Sequence, residues 1–249
     1  FTLNKELFKT SNGWWNAVEV ADLNNDGLMD MIAGNHGLNT RFRASVDKPL
    51  QMYVKDFDRN GITEQIICQY EGENLYPLAL KHDLQIQLPQ IGRKYQLYAD
   101  YQDQQITDIF TPEELEGSTV LQTYQLRTSI YLSSGALNYT EIELPPQVQF
   151  SSTYAISIAD FNGDTHNDVL LGGNMYQSKP EMGRYDASFG NLLLGDGEGG
   201  FQYLPSKRSG LKLDKAVRAI ARLKSPDGER LIIVNNNDNH QLFAQSPTP

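Results

Sequence analysis

The sequence predicts an all-β fold, and within that class a β-propeller, on three observations. Three short acidic segments share one design. Each is flanked on both sides by a run with strand character. The hairpins so formed lie far apart in the chain, and distant hairpins of one type signal radial repetition. The expectation is a single domain over residues 1–249, with about four or five blades or part of a larger ring. A helical insertion is expected around residues 88–122.

The segments are Asp22–Asp30 (DLNNDGLMD), Asp56–Glu64 (DFDRNGITE) and Asp160–Asp168 (DFNGDTHND). Each places oxygen side chains at positions 1, 3, 5 and 9. These are Asp22, Asn24, Asp26 and Asp30, then Asp56, Asp58, Asn60 and Glu64, then Asp160, Asn162, Asp164 and Asp168. A loop turning round a cation points alternate side chains inward, and calcium takes six to eight oxygen ligands. Position 7 supplies a backbone carbonyl, here from Leu28, Ile62 and His166. Three acids in one short loop repel one another unless a cation joins them. Oxygen-only ligands favour Ca2+ over zinc or copper, so up to three Ca2+ ions are expected. Asp100–Asp108 has a similar spacing but lacks Gly and strand-like flanks, and is set aside.

The flanks exclude an EF-hand. Position 12 is Ala33, Ile67 or Leu171, where that motif needs a bidentate Glu. Runs such as Leu50–Lys55 and Tyr154–Ala159 before the loops, and Gln65–Cys68 and Val169–Leu171 after them, read as strands. Ala216–Leu223 and Arg230–Val234 read as a fourth hairpin without metal residues, turned by Pro226-Asp227-Gly228. Asn191–Phe201 reads as an outer hairpin around a glycine-rich turn. In the insertion, Thr111, Pro112 and Glu114 spell a helix start.

Lys plus Arg is 21 against 31 Asp plus Glu, a net charge of −10. That balance argues against nucleic acid and anionic membrane surfaces as partners. No apolar run is long enough to span a bilayer. No signal peptide is visible, and the start at Phe1 leads us to expect a piece of a longer chain. The single Cys68 lies in an apolar run and is expected to be a buried, inert thiol.

Asp22-Leu23-Asn24-Asn25-Asp26-Gly27 and Asp160-Phe161-Asn162-Gly163-Asp164 resemble the metal loops of FG-GAP/VCBS repeats, as found in integrin α-subunits. The chain also resembles the bacterial ASPIC/UnbV and cartilage-acidic-protein-like group. Gly34–Asn39, Gly183–Ser188 and Leu192–Gly197 add to that resemblance. It implies a propeller, structural calcium at the twelve side chains above, and an extracytoplasmic location: secreted, periplasmic or outer-surface. Thr165 replaces the usual Gly, and Glu64 the usual Asp, so the second and third loops are expected to bind more weakly.

If the metal loops share one face, the segments after the second strands emerge on the other. There lie Asn35, His36, Asn39, Arg41, Tyr176, Arg184, Tyr185 and Asp186, a mixture suited to polar ligands. The leading expectation is a calcium-stabilised module that binds a polysaccharide or protein ligand. The alternatives are a calcium-dependent polysaccharide lyase or hydrolase, with Tyr185, Asp186 or His36 as base, and a purely structural module. Little points to catalysis: the four histidines lack metal-ligand spacing, and no nucleophile elbow appears.

Overall fold

A computed structural model describes residues 4, 6–179, 182–226 and 228–244. Its strands are β1 (Ala17–Ala21), β2 (Asp30–Gly34), β3 (Leu50–Lys55), β4 (Glu64–Glu71) and β5 (Asn74–Pro77). Four short helices follow: α1 (Lys81–Gln87), α2 (Gln90–Lys94), α3 (Ile106–Ile109) and α4 (Pro112–Leu115). Next come β6 (Thr119–Thr123), β7 (Ser129–Ser133), β8 (Tyr139–Ile142), β9 (Thr153–Ala159) and β10 (Asp168–Gly173). The chain continues through β11 (Asn191–Gly195), β12 (Phe201–Leu204), helix α5 (Ser206–Ser209), β13 (Val217–Ser225), β14 (Gly228–Asn235) and β15 (Gln241–Ala244). Among the described residues the fold is mostly β, with four small antiparallel sheets, none of them closed. Among the described residues no helix is long and apolar enough to cross a membrane.

The chain forms two compact units. The larger holds Phe1–Leu7, Trp14–Thr40 and Leu126–Pro249. Its sheets run β1-β2-β7-β8, β12-β11-β10-β9 and β13-β14-β15. β9 packs against both β1 and β13, so the β9–β12 sheet lies between its neighbours. Strand periodicity explains how it serves both. Ile156, Val169, Leu171 and Leu193 face one core with Leu23, Ile32 and Ile130. Ala155, Leu170 and Leu192 face the other with Leu213, Val217 and Ile233. A strand covered on both faces reads as an apolar run, as Val169-Leu170-Leu171 does.

The smaller unit holds Phe8–Gly13 and Arg41–Gln125. Its sheet runs β5-β4-β3-β6. Ile66 and Cys68 of β4 pack with Leu84, Leu88, Ile91, Ile106, Ile109 and Phe110 from the helical segments. Burial raises the Cys68 thiol pKa to about 12, which keeps it protonated and inert. Thr111 caps α4 as its sequence implies, accepting from the Glu114 N–H at 3.3 Å.

The helical region differs from expectation at both ends. It begins at Lys81, where Leu84 and Leu88 share one buried face. It ends at Leu115, because Thr119–Thr123 pairs with β3 as β6. The β-branched Thr119, Val120 and Thr123 suit a strand once β3 offers an open edge. The unit is also larger than a helical insertion. The second acidic hairpin, β3–β4, belongs to it, so a whole sheet sits in sequence between β2 and β7. This accounts for the short 34-residue step between the first two loops: the second hairpin starts before the first sheet is complete.

Close approach of β10 to the preceding segment sets a strict size limit. A Cβ on Gly173 would lie 1.7 Å from the Ser152 carbonyl oxygen, at the register shift of the β9–β10 pair. Gly173→Ala is expected to lower stability by about 2 kcal/mol or more, read from the urea midpoint. An unchanged midpoint would refute this packing.

Candidate metal loops

The acidic segments connect β1 to β2, β3 to β4, and β9 to β10. All three close through the same hydrogen bonds. The first Asp takes the N–H of the fifth residue on one oxygen, at 3.1 Å (Asp22), 3.0 Å (Asp56) and 3.1 Å (Asp160). Its other oxygen takes the sixth N–H, at 2.9 Å in every loop. The fifth side chain accepts from the seventh N–H, as Asp26 does from Leu28, Asn60 from Ile62 and Asp164 from His166. That last bond holds the Asp164 carboxyl below its ordinary pKa.

The turn needs left-handed backbone at its fourth and sixth residues. These are Asn25 and Gly27, Arg59 and Gly61, then Gly163 and Thr165. The third loop thus puts its glycine at the fourth place and a β-branched residue at the sixth, where φ is 76°. That conformation is costly for threonine.

The ninth residue is buried in each loop: Asp30, Glu64 and Asp168. Each accepts the N–H of the second residue, Leu23, Phe57 or Phe161, at 2.8 Å. The other oxygen of Asp30 takes the Ser133 N–H at 2.7 Å, and that of Asp168 the Gly195 N–H at 3.0 Å. Both donors end the third strand of their sheets. Burial raises the Asp168 pKa, and those two N–H bonds oppose the rise. Glu64 differs. Among the described residues no donor meets its other oxygen, and Asp56, Asp58 and Glu64 offer carboxylate oxygens within 4.8 Å of one another. This cluster of three acids can hold a metal ion.

The third position separates the loops further. Asn24 and Asn162 donate to the fifth-position carboxylates of Asp26 and Asp164, at 3.0 and 2.8 Å. The second loop has the reverse order, Asp58 then Asn60, and gathers its acids without that amide. At the seventh position the Leu28 and Ile62 side chains face solvent, which leaves the carbonyl as the group either could offer. The His166 ring turns to the first loop, its Nδ1 2.9 Å from Asn25 Nδ2. Asn167 donates to the Asp22 carbonyl at 2.7 Å. Sequence spacing did not single out Asn25 or Asn167. The set-aside segment Asp100–Asp108 ends in α3, where Asp108 accepts the Gln105 N–H as a cap.

The residues expected opposite the loops differ in burial and in partners. Asn35 is fully buried and accepts from the N–H groups of Trp14 and His36. The His36 ring is buried edge-on between Trp14 and Tyr185, with centroids 4.9 and 5.0 Å away. Tyr185 is buried too, its hydroxyl 3.2 Å from Thr40 Oγ1. Asn39 is exposed and donates to the Phe150 carbonyl. Arg41 belongs to the smaller unit and donates to the Leu78 carbonyl. Arg184 lies over the Tyr176 ring, whose hydroxyl donates to the Asp214 carbonyl at 2.6 Å; Asp186 is exposed nearby. Buried amides recur where second strands end, at Asn35, Asn174 and Asn235. Asn174 ties three segments, donating to the Ser188 and Lys215 carbonyls and accepting the Ser188 N–H. The readable signal was an Asn within three residues of the end of these three apolar runs.

Two outcomes follow from this geometry. Thr165→Gly removes the left-handed strain at some cost in chain entropy, for a net gain of roughly 1 kcal/mol. A lower melting temperature for that variant would contradict the strain. Burial lowers the His36 pKa from 6.5 to about 4. The unfolded chain therefore binds the extra proton between those values, and stability falls as pH drops through that window. The loss reaches roughly 1 to 3 kcal/mol. His36→Asn should flatten the acid limb of a stability-versus-pH series; an identical slope would show that His36 titrates normally.

No protein-family model matches the chain, and no curated protein matches it in sequence.

Proposed function

We propose that the chain is a calcium-stabilised β-propeller module of the FG-GAP/VCBS type, which binds a polysaccharide or protein ligand outside the cytoplasm. The observation that carries this reading is the oxygen cluster of Asp56, Asp58 and Glu64 on a loop whose hydrogen bonds recur in two others. A buried glutamate beside two aspartates is costly without a cation, and an all-oxygen donor set suits calcium. The stacking of three sheets through their first strands supports an arc of blades. Asp22, Asn24, Asp26 and Asp30, with Asp160, Asn162, Asp164 and Asp168, would hold the further ions in the same arrangement.

Calcium that binds only the folded chain raises its stability by RT ln(1 + [L]/Kd), about 2.7 kcal/mol at a hundredfold excess. The melting temperature should rise with calcium and fall back with EDTA. Asp58→Asn gives the second loop the third-position amide of the others and should shrink the rise. Equal melting in calcium and EDTA would remove calcium from the reading, and a full response in Asp58→Asn would remove this loop.

A further inference from the structure

The larger unit contains a cavity of about 610 Å³. That is within the range of small-molecule sites, roughly 300–1,000 Å³. Its apolar walls are Leu38, Leu144, Pro146 and Phe150, and its charged groups are Arg127 and Glu143. Phe150 is 44% exposed. Arg127 is half-buried, yet among the described residues neither it nor Glu143 has a side-chain hydrogen bond or an ion pair. The Arg127 guanidinium offers N–H donors in a fixed fork that matches a carboxylate.

The walls are held in place before any ligand arrives. The Gln149 carbonyl accepts the N–H groups of Leu38 and Asn39, at 2.8 and 3.1 Å. The Gln149 side chain accepts the Thr128 N–H at 3.0 Å and donates to the Thr128 carbonyl at 2.8 Å. Asn39 donates to the Phe150 carbonyl at 3.2 Å. Gly37 makes the close approach possible, since a Cβ there would lie 2.9 Å from the Gln149 and Ser151 carbonyl oxygens. Three chain segments thus form one preorganised wall, which reduces the ordering cost of binding.

We infer that this cavity binds a carboxylate joined to an apolar face, an inference that rests on reading the chain as a binding module. Arg127 receives the carboxylate through its two-pronged fork. Phe150 and Leu38 cover the apolar face, and Glu143 accepts a hydroxyl. A phosphate dianion fits worse, because one arginine does not neutralise it and Glu143 repels it. The carboxylate has two chemical sources: a uronate unit of an acidic polysaccharide, or a free aryl or alkyl carboxylic acid.

Isothermal titration of the whole chain in calcium, with an oligogalacturonide, phenylacetate and a neutral oligosaccharide as probes, tests this. One carboxylate probe should bind saturably, and the tighter of the two identifies the source. Arg127→Gln should weaken it about tenfold or more, the scale of a hydrogen bond to a charged group. Phe150→Ala should weaken it as well, and Arg208→Gln, at an exposed arginine of α5, should leave it unchanged. Should Arg127→Gln fail to fold, Arg127→Lys keeps the charge without the fork and should still weaken binding. Two results overturn the site: absence of binding by both carboxylates, and binding as tight for the neutral sugar or in the arginine variants. Melting of the same samples with and without calcium reads the module proposal separately. A calcium response without carboxylate binding rejects this site alone.

Discussion

Asp30, Glu64 and Asp168 each open the second strand of a hairpin, and each gives one oxygen to the N–H of its loop's second residue. That bond fixes where the first strand stops and the second begins. A buried carboxylate is expensive unless donors surround it, and a charge-assisted bond to a backbone N–H is among the stronger means of satisfying it. In Asp30 and Asp168 the second oxygen reaches the end of the third strand. One side chain therefore sets the turn, the hairpin register and the position of the next strand. The more accessible acids at positions 1, 3 and 5 are displayed on a frame that these buried ones hold.

The same frame explains how one sheet can be nested in sequence within another. β2 and β7 pair through Met31, Ile32 and Ala33 although Arg41–Gln125 separates them. The entropy of closing such a loop grows only as the logarithm of its length. The inserted residues also bury their own core, so they fold as a unit rather than as a long flexible connection. Asp30, bonded to Ser133 across the insertion, anchors that pairing from the loop side.

The loops were legible in the sequence because their chemistry is local. Among the described residues, seven of the nine acids accept hydrogen bonds only from within their own segment, Asp30 and Asp168 being the two that also reach outside it, so spacing alone displayed the pattern. The strands beside them were legible from alternation and apolar runs. The nested order was not, since nothing local in Ser129–Ser133 says that its partner is β2 rather than a neighbour in sequence. Thr119–Thr123 failed for a related reason: its strand character depends on the open edge of β3. Asn35, His36 and Tyr185 look like ligand groups when read as types, but burial decides their roles, and burial is a property of the packed chain. Arg127 and Glu143 attracted no notice, because a lone arginine and a lone glutamate carry no spacing signal until a cavity joins them.

The three loops share a backbone but not an electrostatic state. In the first and third, an asparagine amide leans on the fifth-position carboxylate, and the ninth carboxylate has both oxygens occupied by N–H groups. Those loops have replaced part of a cation's work with dipoles. They are also joined to each other, through Asn25 with His166 and through Asn167 with the Asp22 carbonyl. The second loop lacks the amide, leaves one Glu64 oxygen without a donor among the described residues, and brings oxygens of three carboxylates within 4.8 Å of one another. A cation that joins the three carboxylates would relieve their mutual repulsion. The cluster that can hold a metal ion therefore lies in the loop of the smaller unit, where the order of Asp and Asn at the third and fifth positions is reversed.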